Sequence, residues 1–313
     1  MMTEATTTMP DGAAVASPAA ARAASAAPQG PGKGRLVLVD GSGYLWRAFS
    51  VVPPRHLADG TPVNAVTGFI QHLLVPIVRR ARASHIAVVF DPEGETFRHA
   101  IYPAYKANRS EKPADLVAQQ PLIRQASEAF GVSWVEAPGY EADDVIATYA
   151  RQAVEAGLKV TIVSSDKDLM QLVGPEVSIY HPQTKRVIRA AEVEAKLGVG
   201  PEKVVDLQAL AGDPTDGVPG VRGIGVKGAA KLIRQFGDLD AILANLETLP
   251  PSALRARLQD GVEAARISRD LVRLEADAVV PVELESLRAR PAAPGAVAAF
   301  LNRVEMQVRG LSD

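Results

Sequence analysis

The chain has 313 residues, 47% of them hydrophobic and 22% charged, with 34 basic against 36 acidic side chains and a net charge of −2. That composition is globular, and the length suits one large domain or two small ones. The chain has no cysteine, which excludes a disulfide framework and any thiolate metal site and suits a reducing, cytoplasmic compartment. No apolar run approaches the roughly 20 residues needed to span a bilayer, so no membrane partner is expected.

Residues 1–33 are Ala, Thr, Pro and Gly with almost no large apolar side chains. Such a segment cannot bury enough surface to offset its ordering entropy, and a disordered tail is expected. RLVLVDG at 35–41 is a short apolar run ending in Asp40, the pattern of a buried parallel strand. A helix is expected from about Asn64 to Ala83, with Pro76 as a candidate kink. HIAVVFD at 85–91 repeats the strand pattern and ends in Asp91. SWVEAP at 133–138 leads into GYEADD at 139–144, where Glu141, Asp143 and Asp144 open a helix running to about Ala156. KVTIVSSDKD at 159–168 delivers Asp166 and Asp168, and further strands are expected at 177–182 and 185–189.

Strands alternating with helices imply right-handed crossovers and a parallel, doubly wound sheet. Ligands of such sheets bind beyond the carboxyl ends of the strands. All four strand exits carry acid there; one such Asp is a turn former or cap, but four together are a site. Three acids in four residues at 141–144 exceed what capping requires, and at i, i+2 and i+3 they cannot all share one face.

Between the second and third strands, TFRHAIYPAYKANRSEKP at 96–113 interleaves Arg98, His99, Lys106, Arg109 and Lys112 with Tyr102 and Tyr105. Basic and aromatic residues mixed in this way suit phosphate contacts and base stacking. From 190 the pattern is helical. Asp213 and Asp216 lie in a loop there, followed by the glycine-rich GVRGIGVKGAAKLI, which resembles a helix–hairpin–helix. Its glycines allow close backbone approach, and the next helix N-terminus offers N–H groups to a phosphate. Lys227, Lys231 and Arg234 add positive charge on that helix.

Acids converging on one edge repel unless cations lie between them. Oxygen-only ligands select a hard ion, Mg²⁺ or Mn²⁺, over zinc. Two such ions can clamp the attacking and leaving oxygens of an in-line phosphoryl displacement, which points to phosphodiester hydrolysis. Calcium storage fits poorly, because EF-hand spacing is missing. Counted at −9, the nine acids Asp40, Asp91, Glu141, Asp143, Asp144, Asp166, Asp168, Asp213 and Asp216 leave the remainder of the −2 chain at +7, a charge suited to a polyanion once the site is loaded.

VDGSGYLWRAF, VVFD, TFRHAIYPAYKANR, GYEADDVIA, SSDKDLMQLV and GDPTDGVPGVRGIGVKGAAKL occur in an order that resembles the bacterial 5′-3′ exonuclease family, the 5′ nuclease domain of bacterial DNA polymerase I and its flap-endonuclease relatives. The resemblance spans about 35 to 290, and without polymerase sequence after it the match is to a free-standing version. It implies an α/β fold: a PIN-like parallel-sheet nuclease domain at 34–189 with a helical arch, a helix–hairpin–helix (H3TH) α subdomain at 190–290, and a closing segment at 291–313. It further implies a monomer acting on double-stranded DNA with a 5′ flap, nick or gap, with a separate DNA polymerase as partner.

By motif, Asp40, Asp91, Glu141 and Asp143 would hold a first metal. Asp166, Asp168, Asp213 and Asp216 would hold or orient a second, and Asp144 would serve an outer shell. Asp144→Ala is accordingly expected to be the mildest substitution of the three acids at 141–144. Lys106 and Arg109 would contact the scissile phosphate with help from Arg98, and Tyr105 would stack on the terminal base. Gly220, Gly223, Ile224, Gly225, Lys227 and Lys231 would bind duplex phosphates, with a K⁺ ion near the hairpin. Departures from the family pattern are Gly217 for Asn, Gly228 for Thr, and Gly43 and Trp46 where Ser and Tyr are common. Two alternatives stay open: a DNA-structure-binding protein with weakened catalysis, and a PIN-like ribonuclease.

Overall fold

The computed structural model describes residues 15–16, 34–80 and 83–308. The expectation of a disordered tail therefore lies outside the described residues, apart from Val15–Ala16 (β1). The other strands are Arg35–Asp40 (β2), His85–Val89 (β3), Ser133–Glu136 (β4), Lys159–Val163 (β5), Val177–His181 (β6) and Arg186–Ile188 (β7). They form one sheet in the order β1-β4-β3-β2-β5-β6-β7. The five central strands run parallel, while β1 and β7 close the two edges antiparallel. After β2 the chain builds outward on one side through β3 and β4, then crosses to start the other side with β5. The order thus reverses about β2, and the crevice beyond its carboxyl end is the natural ligand site of such a sheet.

Side chains alternate across the sheet. Val37 and Val39 of β2 pack with Ile86 and Val88 against one helical layer, and Leu36 and Leu38 face the other. The first layer holds Gly41–Val51 (α1), Asn64–Phe69 (α2), Val75–Arg80 (α3) and, further along, Gln120–Ala129. Between α2 and α3 the helix widens into a π turn at Ile70–Leu74, with the Val75 N–H donating to the Ile70 carbonyl. Pro76 has no N–H to return to the preceding turn, so the expected kink is taken up as this bulge.

After β3 come Phe97–Ile101 (α4) and Ala114–Val117 (α5), joined by turns, then Gln120–Ala129 (α6). The expected helical arch is therefore two short helices with a turn-rich span between them. Pro103 and Pro113 cannot continue a helix, and Lys106 sits in the left-handed region at φ 56°. Ala142–Glu155 (α7) covers the second face, with Val145, Ile146 and Tyr149 buried against it.

The helical unit runs through Ala190–Leu197 (α8), Val204–Ala211 (α9), Val226–Phe236 (α10), Leu239–Ala244 (α11), Ala253–Asp260 (α12) and Val262–Val272 (α13). Its own core includes Leu207, Leu210, Ile224, Leu232, Ile233 and Leu258. The chain then returns to the sheet: Val280, Val282, Leu284 and Leu287 join the core under α7, and Ala296–Arg303 (α14) places Phe300 and Leu301 in the first layer. No helix among the described residues is long and apolar enough to cross a membrane.

Candidate active site

A cleft of about 1450 Å³ opens where the strands β2, β3 and β5 end, lined by Asp40, Asp91, Glu141, Asp143, Asp166, Asp168 and Asp216 from the acid set and by Lys106 and Arg109 from the arch. Each acid is delivered by the end of an element. Asp40 ends β2 and caps α1, accepting from the Gly43 N–H at 2.8 Å and from the Ser164 hydroxyl at 2.8 Å. A Cβ on Gly43 would lie 2.5 Å from the Asp40 carboxylate, so a side chain there would press on this cap. Asp91 accepts from the Ala142 N–H at 2.8 Å, which satisfies the first turn of α7 from a neighbouring strand. The Ser164 hydroxyl accepts from the Asp166 N–H at 3.0 Å, and Asp166 accepts from the Asp168 N–H at 2.9 Å.

The acids fall into two electrostatic groups. In the first, burial pushes Asp40 up to about 6, and the charges of Asp91 and Asp166 add to the rise. Asp143 is pushed well above its ordinary value by burial and by Asp166, Asp40, Asp91 and Asp168. Burial and Asp166 push Asp168 up to about 7. In the second group each acid already has a cation: Lys106 Nζ lies 2.6 Å from Glu141, Arg109 2.5 Å from Asp216, and Lys167 2.8 Å from Asp213. Asp213 accordingly sits below its ordinary value, where the Lys167 ammonium and the Thr215 N–H outweigh burial.

Three of the expected site residues, Arg98, Asp144 and Tyr105, are buried and hydrogen-bonded within the protein. Arg98 is 1% exposed and Asp144 0% exposed, and the two form a bidentate pair at 2.6 and 2.7 Å. Arg98 also donates to the carbonyls of Leu271 and Arg273, and Asp144 accepts from the N–H groups of Glu141 and Glu275. The pair thus uses most of the polar atoms of both side chains on each other, while Arg98 still borders the cleft with its Nη1 3.7 Å from Glu141. Tyr105 is likewise buried at 4% exposure, its hydroxyl donating to Glu141 at 3.1 Å and its ring packed with Val218, Leu271 and Val272. It anchors the arch rather than offering a face to a base. Trp46, which departs from the family pattern, is 38% exposed and lines the cleft from α1.

The loop carrying Asp213 and Asp216 holds the arch down. The Lys106 N–H donates to the Asp216 carbonyl at 2.9 Å, and Asn108 donates to the Pro214 carbonyl at 2.8 Å. Gly217, at φ 69°, permits this approach, since a Cβ there would lie 2.9 Å from the Ala104 carbonyl oxygen. Further along, Gly223, Ile224, Gly225, Lys227 and Lys231 line a second cleft of about 550 Å³ at the start of α10, with both lysines exposed. Gly220 lies apart from it, buried, its N–H donating to the Ser268 hydroxyl at 2.8 Å.

Among the described residues no three acids or histidines already converge as a ready metal-binding group. The donor chemistry nonetheless fits a hard divalent ion. Magnesium keeps several waters and takes only one or two carboxylates directly, and the repulsion that Asp166 and its neighbours add to the burial of Asp40, Asp143 and Asp168 is what such an ion relieves.

Residues 35–198 match the 5′-3′ exonuclease N-terminal resolvase-like domain, and residues 199–294 match the C-terminal SAM fold of the same enzymes. The chain belongs to the 5′-3′ exonuclease family. A 5′-3′ exonuclease of Aquifex aeolicus is 37% identical over 253 residues, covering 81% of this chain and 86% of that protein. DNA polymerase I of Rhizobium leguminosarum is 46% identical over 278 residues, which is 86% of this exonuclease-family chain but only 27% of the polymerase. Among solved structures, T5 5′-exonuclease with bound divalent zinc matches at TM-score 0.64 and 22% identity, covering 87% of this chain and 98% of that one. The catalytic core of Rad2 in complex with DNA substrate matches at TM-score 0.59 and 16% identity, covering 93% and 90%. These two likenesses establish the α/β fold, with its PIN-like sheet domain and helical subdomain.

Proposed function

We propose that this chain is a divalent-metal-dependent 5′ nuclease that hydrolyses DNA phosphodiester bonds at 5′ ends, flaps, nicks or gaps. The observation that carries the reading is the cleft itself, in which crowded, cation-seeking acids from four strand exits face arch cations parked on neighbouring acids. Asp40, Asp91, Glu141 and Asp143 would hold one ion, and Asp166 and Asp168 a second, with Asp213 and Asp216 at its margin. Bound there, Mg²⁺ or Mn²⁺ stabilises charge on the phosphoryl oxygens and lowers the pKa of the attacking water. Lys106 and Arg109, paired here with Glu141 and Asp216, would bind the phosphate oxygens. Trp46 offers its exposed ring to a terminal base.

The N–H groups opening α10, with Lys227 and Lys231, hold duplex phosphates away from the cut, and a K⁺ ion beside that hairpin is part of the reading. The protein works as a monomer beside a separate polymerase in replication and repair. Purified protein is incubated with a 5′-flap duplex and Mg²⁺, alongside an Asp166→Ala control. Magnesium-dependent cleavage that the control loses is expected; no cleavage, or equal cleavage by the control, overturns the proposal. Flap binding in Ca²⁺ without turnover in Mg²⁺ would mark a binding protein, and preference for an RNA flap a ribonuclease.

A further inference from the structure

We propose that Gln208 is a positioning residue: from α9 in the helical unit it orients the Asp168 carboxylate while leaving its charge available to an incoming cation. The role of Asp168 rests on the nuclease reading above. Gln208 is buried, and its Nε2 donates to Asp168 Oδ1. The other end of the same amide, Oε1, is buried with no hydrogen-bond partner among the described residues. A flipped amide would set its oxygen against the carboxylate, so this orientation is the one the site permits. An unpaired buried oxygen weakens the fold, and an apolar side chain of the same length would avoid it. The glutamine is better explained by what it holds than by the stability it adds.

Two contrasts sharpen the assignment. Glu141, Asp216 and Asp213 are held by Lys106, Arg109 and Lys167, each of which competes with a metal for its acid. Asp168 is held instead by a neutral donor, which fixes direction without neutralising charge. The Asp168 backbone, moreover, has its own anchor. Gln171 Nε2 donates to the Asp168 carbonyl at 2.9 Å and to the Val272 carbonyl at 3.0 Å, and Gln171 Oε1 accepts from the Leu274 N–H at 3.1 Å. The turn therefore folds without Gln208, which acts on the carboxylate alone. The Gln208 carbonyl accepts from the Gly212 N–H at 2.7 Å, at the point where α9 gives way to the loop that leads to the phosphate-binding hairpin. One residue thus ties the unit that grips duplex to the acid expected at the second ion.

The test uses the full chain with Gln208→Met, which keeps length and removes both polar atoms. Melting in EDTA should stay within about 2 °C of the parent or rise. Mn²⁺ affinity of the DNA-free protein, read by calorimetry, should weaken about tenfold, the scale of losing an outer-shell partner of a ligand. With a flap substrate, kcat should fall by a similar factor at unchanged KM, and in an Asp168→Asn background Gln208→Met should add nothing. Unchanged Mn²⁺ affinity, or a fully additive loss on top of Asp168→Asn, overturns the proposal. Gln208→Asn, which retains the amide but falls one methylene short, carries the test if Gln208→Met fails to fold. Absence of magnesium-dependent cleavage by the parent would defeat the nuclease reading alone, because the Mn²⁺ titrations and melts still judge Gln208.

Discussion

Asp143 and Asp144 are neighbours at the start of α7, yet they belong to two different regions. Asp143 faces the cleft, where among the described residues its carboxylate makes no hydrogen bond or ion pair, and burial and then four other aspartates push its proton affinity up. Asp144, turned about 100° away by the helix, lies in the joint beneath, where both oxygens are doubly satisfied by Arg98 and by the Glu141 and Glu275 N–H groups. The joint gathers α4, the start of α7 and the end of α13 around one ion pair. One region leaves its carboxylate without a partner of opposite charge, and the other satisfies its carboxylate in full. The same side chain therefore serves chemistry or architecture according to its angle on one helix turn.

The sharpest way to break this contrast is to remove Asp144. Asp144→Ala removes the bidentate partner of a fully buried guanidinium and leaves it only Glu141 at 3.7 Å, a loss of roughly 3–5 kcal/mol. At this chain length that corresponds to a melting drop of about 10 °C or more. Arg98→Ala should cost as much, and an Arg98→Met/Asp144→Leu double variant distinctly less than the two single losses together. A melt of Asp144→Ala within about 2 °C of the parent would erase the distinction between the regions. This reverses the sequence expectation that Asp144 is the mildest of the three acids to lose.

Asp143→Asn should do the opposite. Losing a direct ligand should lower kcat by at least about 100-fold, beyond the usual effect of an outer-shell change. The same substitution removes a buried, repelling charge, so the metal-free protein should melt higher at pH 8. A flap assay paired with melts in EDTA reads both; a lower melting temperature would show that Asp143 is structural after all.

The difference between the two aspartates marks the limit of what was legible in the chain. Apolar runs ending in Asp40, Asp91, Asp166 and Asp168 announced both the sheet and its acid edge, because strand burial and strand-end chemistry are local signals. The partners of those acids were not local. Arg98 stands in a basic run that reads as solvent-facing, but it is satisfied by residues 46, 173 and 175 positions away. Gln119 likewise caps α2 by accepting from the Ala65 and Val66 N–H groups, 54 and 53 positions back. Burial of a polar side chain depends on such distant partners, and periodicity carries no trace of them. Trp46 lay within reach: a tryptophan six residues after a strand-terminal aspartate, on the helix that borders the cleft, was a signal for stacking.

Crowding also predicts how metal-free stability varies with pH. Asp40 and Asp168 titrate near 6 and 7 when folded and near 3.8 when unfolded. Between about pH 4 and 7 the folded state therefore binds more protons than the unfolded state, and stability falls as pH rises through that window. Melts in EDTA across this range should decline toward pH 7. Saturating Mg²⁺ should remove much of the decline, because an ion replaces the protons. An identical decline with and without Mg²⁺ would show that the acids do not share a cation.

The smallest effect comes from the opposite end of the sheet, where burial acts on a base. His85 opens β3, with Nδ1 3.0 Å from the Ser84 hydroxyl and Nε2 3.4 Å from Glu285, and helps fasten the returning chain at Arg288 and Ala289. Burial lowers its affinity for a proton, and the Glu285 carboxylate only partly offsets this. Below about pH 6.5 the unfolded histidine takes up a proton before the folded one, so stability falls as pH falls. His181 shifts in the same direction. The loss should read as a lower melting temperature at pH 5.5 than at pH 6.5. Glu285→Gln should steepen it, since nothing then draws the proton back, and His85→Gln should flatten it. Because this limb is set by a base far from the cleft, Mg²⁺ should leave it unchanged while lifting the limb set by the acids. Melts with and without Mg²⁺ at pH 5.5 and 7 therefore separate the two edges of one sheet, and a magnesium effect of equal size at both pH values would show that they are not independent.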